Sequence, residues 1–196
     1  MTTKHEITRA DIMALSDYAK VRAERRKSIA EAKRSRRLHV GPYATFYFES
    51  FETMLHQVHE MLAIEKGGDA QLQDELAAYN PLVPKGSELV ATVMFEIPDA
   101  EERKIVLAKL GGVENTFVLD VAGDRIEGVP EEDVDRTNAA GKASSVQFVH
   151  FPFTAEQIRR FKAPGTRVAI AIEHPAYSHR AEMSEAVRKS LAGDFA

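Results

Sequence analysis

The run from Tyr43 to Lys66 constrains this chain most. It reads as a strand, Tyr43 to Phe48, leading almost directly into a helix, Phe51 to Lys66. Phe51, Met54, Leu55, Val58, Met61 and Leu62 recur at helical spacing and mark one apolar face. At about 100° per residue, Glu65 lands inside that stripe, within about 40° of its centre. Glu52, His56, His59 and Glu60 gather on the flank and back of the same helix. A helix with one apolar face must lie on something apolar, and a strand that feeds directly into it supplies a sheet.

The rest of the pattern agrees. Leu89, Ala91, Val93, Phe95 and Ile97 alternate with Val90, Thr92, Met94 and Glu96, as in a strand. Val113–Val121, Arg125–Val129, Ser144–Phe151 and Arg167–Glu173 read as further strands, with Gly123-Asp124 as a hairpin turn. Helices are predicted from about Asp11 to Arg36 behind a Thr8 cap, with a break near Lys27 or Ser28. Others are predicted over Gln71–Tyr79, Asp99–Leu110, Thr154–Phe161 and Met183–Leu191. Gly41-Pro42, Gly67-Gly68 and Gly111-Gly112 punctuate them, and Pro130–Lys142 reads as an acidic, candidate mobile loop. The expectation is an α+β fold: a mixed, mostly antiparallel sheet of five or six strands covered by helices. The 196 residues read as a single domain, 1–196, with an N-terminal basic helical arm (1–40), a sheet-and-helix core (41–180) and a C-terminal helix (181–196).

Composition excludes several chemistries. There is no cysteine, so disulfides, thiolate metal sites, a cysteine nucleophile and an iron–sulfur cluster ligated by this chain's own cysteines are ruled out. No apolar run approaches a membrane span, and Met1–Ala10 is too polar for a secretory leader, so the expected location is cytoplasmic, with no membrane partner. No glycine-rich phosphate loop and no Gly-x-Ser-x-Gly elbow occurs. Between Lys20 and Arg37, nine Lys/Arg face two Glu, a balance of +7 that leaves −11 on the rest of a chain of net charge −4. Arg25, Arg26, Arg34, Arg36 and Arg37 are therefore candidate partner-binding residues. The acidic remainder would repel phosphate, which argues against nucleic acid.

Candidate chemistry lies on the central helix and the last strand. His56 and His59, with Glu60 or Glu52, present the imidazole and carboxylate set that suits zinc, manganese or non-haem iron. Glu65, on the apolar face, calls for an Arg or Lys counter-ion, with Arg36 or Arg37 the first candidates, or for a cavity. His174 continues the face of Val168, Ile170 and Ile172 and precedes Pro175-Ala176-Tyr177, so His174 and Tyr177 form a candidate ligand or proton-transfer pair. One pocket is expected to bring Glu60 or Glu65 to His174. His150 shares a face with Val146 and Phe148 and reads as core.

Several of these pieces occur together in a familiar order. They are Arg36-Arg37, Gly41-Pro42, Gln57-Val58-His59-Glu60-Met61-Leu62 with Glu65, Tyr79-Asn80-Pro81-Leu82-Val83-Pro84, Glu102-Arg103 and His174-Pro175-Ala176-Tyr177. Over essentially its full length the chain resembles the bacterial domain of unknown function family 3501. Gln57, Glu60, Glu65, His174 and Tyr177 fit the family pattern. His59 stands where the family commonly has Gln, and Ala63 where it has a basic residue. The resemblance implies companions of the rubrerythrin-like and iron–sulfur oxidoreductase kind, and a setting of redox or peroxide stress.

Three readings follow. The first is a cytoplasmic accessory or binding protein that docks to a rubrerythrin-like or other oxidoreductase partner. The second is a metal-binding protein or metal-dependent enzyme using Glu60, Glu65 and His174, with His56 or His59 added and Tyr177 as proton donor. The third is nucleic-acid binding through the basic arm.

Overall fold

The architecture follows from which face of each strand is apolar and from what covers it. In the computed structural model, which describes residues 4–131 and 136–195, nine strands form two antiparallel sheets. The first sheet contains β1 (Arg37–Val40), β2 (Ala44–Phe48), β3 (Glu88–Phe95), β7 (Val146–Pro152) and β6 (Val129–Pro130), in that spatial order. The second contains β5 (Asp124–Glu127), β4 (Phe117–Val121), β8 (Val168–His174) and β9 (Tyr177–Glu182). Among the described residues there are six α-helices: α1 (Leu15–Arg34), α2 (Phe51–Glu65), α3 (Gly68–Tyr79), α4 (Ala100–Leu107), α5 (Ala155–Lys162) and α6 (Glu185–Leu191).

The chain is thus α+β, as its pattern predicts, but its strands divide between two sheets. Phe46, Phe48, Leu89, Ala91, Val93, Val149 and Phe151 of the first sheet meet Phe117, Leu119, Val121, Ile170 and Ile172 of the second in one buried core. Phe153, Phe161 and Phe195 join it, with ring centroids 4.8–5.6 Å apart. The outer face of the second sheet is solvated, and the Arg125–Glu173 and Arg180–Asp120 pairs lie across it. The outer face of the first sheet lies under helices. There Val90 and Phe148 pack with Met54, Val58, Leu62, Leu72 and Leu82 in a second apolar cluster.

Local chemistry sets the junctions. The side chain of Ser50 caps α2 by accepting from the Thr53 amide, while the Thr53 hydroxyl accepts from the Ser50 amide. The helix ends at Lys66, whose φ of 56° places a non-glycine residue in the left-handed region. The first helix differs from expectation: Thr8 caps only a short 3-10 turn, Arg9–Asp11, and α1 begins at Leu15 and runs unbroken. Of the acidic loop expected over Pro130–Lys142, residues 132–135 lie outside the described residues. In the described part, Thr137 bridges Ala143.

Three polar clamps tie distant segments together. Asn80 receives the Ile7 amide at 2.7 Å and donates to the Ile7 carbonyl at 3.0 Å, fixing the N-terminal segment on the Asn80-Pro81-Leu82 turn. Arg36 is buried at the end of α1, where it donates to the carbonyls of Phe48 and Glu49 and pairs with Asp194. Burial pushes the Asp194 carboxyl up, against the pull of the Arg36 charge. Tyr177 reaches from β9 to the β1–β2 turn.

Candidate functional site

The histidines and carboxylates of α2 meet α1 along the seam between the two helices. Tyr18 is the buried residue of α1, and its ring stacks on His59 with centroids 4.7 Å apart. Nε2 of His59 accepts the Met13 amide at 3.0 Å, so Nδ1 carries the proton and donates to the Leu55 carbonyl at 2.9 Å. Burial pushes the His59 pKa down. Both nitrogens are used, and no lone pair is left for a metal. Glu60 receives Nε and Nη2 of Arg22 at 2.8 and 2.9 Å and the Tyr18 hydroxyl at 2.8 Å. The Arg22 guanidinium holds the Glu60 carboxyl down at about 2, while burial and Glu60 push the Tyr18 phenol up to about 12. His56 lies 3.3 Å from the Tyr18 hydroxyl, and burial depresses its pKa as well. This network locks α1 to α2.

The other predicted residues fall elsewhere. Glu65 is exposed, not buried, because it lies on the last turn of α2; its carboxylate accepts from the Gln71 side chain at 3.2 Å. Arg36 is spoken for by Asp194, and Arg37 is exposed. His174 ends β8 in the second sheet. Its Nδ1 accepts the Ala176 amide and its Nε2 donates to the Gly111 carbonyl, both at 3.2 Å. The Tyr177 hydroxyl accepts the amides of Tyr43 and Ala44 at 2.9 and 3.0 Å and donates to the Val40 carbonyl at 2.8 Å. A Cβ on Gly41 would meet that hydroxyl at 2.7 Å, and the Gly41 φ of 68° also suits glycine. His174 and Tyr177 are thus structural turn and hairpin clamps.

The pocket expected to join Glu60 or Glu65 to His174 is not formed. The central helix covers the first sheet, and the first sheet stands between it and the second. Among the described residues, no group of three His, Asp or Glu side chains is placed to hold a metal ion. The His/Glu centre expected for zinc, manganese or iron is not assembled.

Two further arrangements emerge from the structure. His150, on the outer face of β7, bridges two carboxylates: Glu88 at 2.9 Å from Nδ1 and Glu131 at 2.6 Å from Nε2. Burial opposes its charge, but the two carboxylates prevail and raise its pKa. The second is a cavity of about 320 Å³ between the outer face of the first sheet and α1–α3, walled in part by Tyr47, Tyr79 and Phe148. Glu49 lines it and is only 5% exposed. One Glu49 oxygen accepts the Thr92 hydroxyl at 2.7 Å and the other the Thr53 hydroxyl at 2.6 Å. The signal was present in the sequence: Thr45, Tyr47 and Glu49 alternate onto the face that α2 must cover.

Residues 6–195 match the profile of the family described as Protein of unknown function (DUF3501). The chain belongs to the DUF3501 family. No curated protein matches it. Among solved structures, it is similar to a protein from Burkholderia pseudomallei K96243, described as a novel protein of unknown function. The two share 36% sequence identity, with 97% of this chain and 99% of that chain covered and a TM-score of 0.90. In this DUF3501 chain, the Asn80-Pro81-Leu82 turn and the His174–Tyr177 turn hold distant segments together. Arg25, Arg26 and Arg34 are exposed on α1, and Arg37 follows them at the start of β1.

Proposed function

We propose that this protein is a non-catalytic accessory module that docks through α1 onto an acidic surface of an oxidoreductase partner. One observation carries the reading: of the twenty residues of α1, only Tyr18 is buried. Counted from Tyr18 at about 100° per residue, a sector from about 80° to about 200° holds Lys20, Arg26, Lys27 and Arg34 with Ala19, Ala23 and Ala30, and no acid, while Glu31 and Glu24 follow just beyond its edge. Lys20 and Arg34 reach sideways to Asp17 and Glu31 on the same helix. Arg25, Arg26, Lys27 and Arg37 have no acidic partner within ion-pair distance among the described residues. Alanines between long cations let a facing surface approach closely, and a one-sign patch steers an oppositely charged partner.

The family resemblance supplies the partner class: a rubrerythrin-like protein or an iron–sulfur oxidoreductase. The test is titration of each purified candidate from the same organism against this chain and against a variant with Arg25, Arg26, Lys27 and Arg37 all changed to Glu. The reading expects binding that weakens with salt and is lost in the variant. Binding by neither candidate, or binding indifferent to the charge reversal, would refute it. Tight, salt-steep binding of duplex DNA would move the function to the basic arm as a nucleic-acid surface.

A further inference from the structure

We propose that the cavity containing Glu49 is a binding site for a small organic amine with a ring-sized apolar body. Burying a carboxylate without a cation is costly, and two hydroxyl hydrogen bonds offset only part of that cost. Glu49 is buried with one hydroxyl on each oxygen and no ion-pair partner among the described residues. The nearby guanidinium of Arg36 donates to the main-chain carbonyl of Glu49 and spends its charge on Asp194. The carboxylate therefore opens onto the cavity with a charge still to be matched.

The walls say what carries the matching charge. Tyr47, Tyr79 and Phe148 present aromatic surface, while Met54, Leu82 and Val146 add aliphatic surface. Aromatic faces attract ammonium groups and accept apolar bodies equally well. An engineered cavity of about 150 Å³ holds benzene, so about 320 Å³ accommodates a ring with a short aminoalkyl chain. The Thr92 hydroxyl, which also lines the cavity, has a lone pair free for an N–H donor. Lys33 also lines the cavity, half-buried, and makes no ion pair with the carboxylate among the described residues.

Phenethylamine, phenethyl alcohol and phenylacetate, matched in shape and differing in charge, are the probes. Calorimetry and amide chemical-shift mapping near pH 7 give the readout. The amine is expected to bind, with shifts centred on Tyr47, Thr92 and Tyr79. The alcohol should bind about tenfold or more weakly, since the charge-assisted hydrogen bond is lost, and the acid should not bind. Glu49→Gln should reduce the amine to the level of the alcohol, and Thr92→Val should weaken it while keeping the shift map native. Alcohol or acid binding as tightly as the amine would overturn the site, as would unchanged amine affinity in Glu49→Gln, or no binding of any probe. Amine binding seen in Lys33→Met but absent from the wild type would assign the carboxylate to Lys33 and overturn it too. If Glu49→Gln fails to fold, the wild-type comparison of amine with alcohol decides alone.

Discussion

The two faces of the first sheet solve different problems. Its inner face is nearly all apolar, and Phe46 meets Phe117 of the opposite sheet edge-on, with centroids 5.4 Å apart. Its outer face carries Thr45, Tyr47, Thr92 and His150 beside Val90 and Phe148, and helices cover it. Two twisted sheets interdigitate along their whole inner faces and leave little room for a polar group. Helices laid on a sheet touch it along ridges, and the gaps hold hydroxyls, carboxylates, an imidazole and a cavity. The dry face holds the fold together, and the face under the helices is where chemistry has room.

The sharpest way to break this contrast is to truncate one large side chain on each face. Phe46→Ala should cost about 3–5 kcal/mol, because it removes a fully buried ring that its neighbours cannot replace. Met54→Ala, which widens a cavity that already exists, should fall at the low end of its class, about 2 kcal/mol. Urea unfolding of both variants gives the comparison. Equal losses would mean that the face under the helices is packed as tightly as the face between the sheets.

A smaller effect separates the faces by pH. The inner face has no titrating group comparable to His150, which bridges Glu88 and Glu131 under the helices. Its pKa is raised above the ordinary 6.5, so its contribution is fully present below that value. The contribution is lost as pH rises through the higher folded value. Glu88, held down by His150 although burial opposes this, contributes above 4.5 and loses its part as pH falls through its lowered value. The bridge is therefore strongest between the two limits. Replacing His150 by Gln should cost on the order of 1–2 kcal/mol near pH 6, and the gap from wild type should close towards about pH 9. Urea midpoints across that range test this, and a gap that stays constant would show that the imidazole stabilises only as a neutral hydrogen-bonding group.

The sequence reveals periodicity better than it reveals neighbours. The Ser50-capped α2, its buried Met54, Val58 and Leu62, and the alternation of β3 and β7 were readable because each depends on a local period. The division into two sheets was not, since the alternation of Val168, Ile170 and Ile172 says that a face is buried but not against what. Arg36 looked like one cation of a surface run, and its burial depends on Asp194, far along the chain. His59 seemed a flank residue until α1 and the segment before it crossed it. β9 has no clear sequence signal, because an edge strand with one solvated face shows little apolar alternation in Tyr177–Glu182. Glu49 was legible in principle, since it continues the outward alternation of β2 beneath a helix already predicted to lie there.

The smallest predicted effect concerns the residue that the apolar stripe of α2 marked as most consequential. A carboxylate buried on that stripe with a single counter-ion would cost about 3–5 kcal/mol to remove. Glu65 instead sits on the last turn beside Ile64, which is 62% exposed, because the helix outruns the surface it covers. Among the described residues its one hydrogen bond is with Gln71, and Gln71 does not depend on it: the amide also receives the Gly67 N–H at 2.7 Å and donates to the buried Glu75 at 3.0 Å. Glu65→Ala should therefore change stability by less than about 0.5 kcal/mol, as for an ordinary surface substitution. Gln71→Ala should cost about 1–3 kcal/mol, since it strands a backbone donor and a buried carboxylate at the α2–α3 turn. Measuring both by urea unfolding sharpens the contrast of faces at its edge, where the helix leaves the sheet and charge returns to water. A Glu65→Ala loss as large as that of Gln71→Ala would return Glu65 to the buried face.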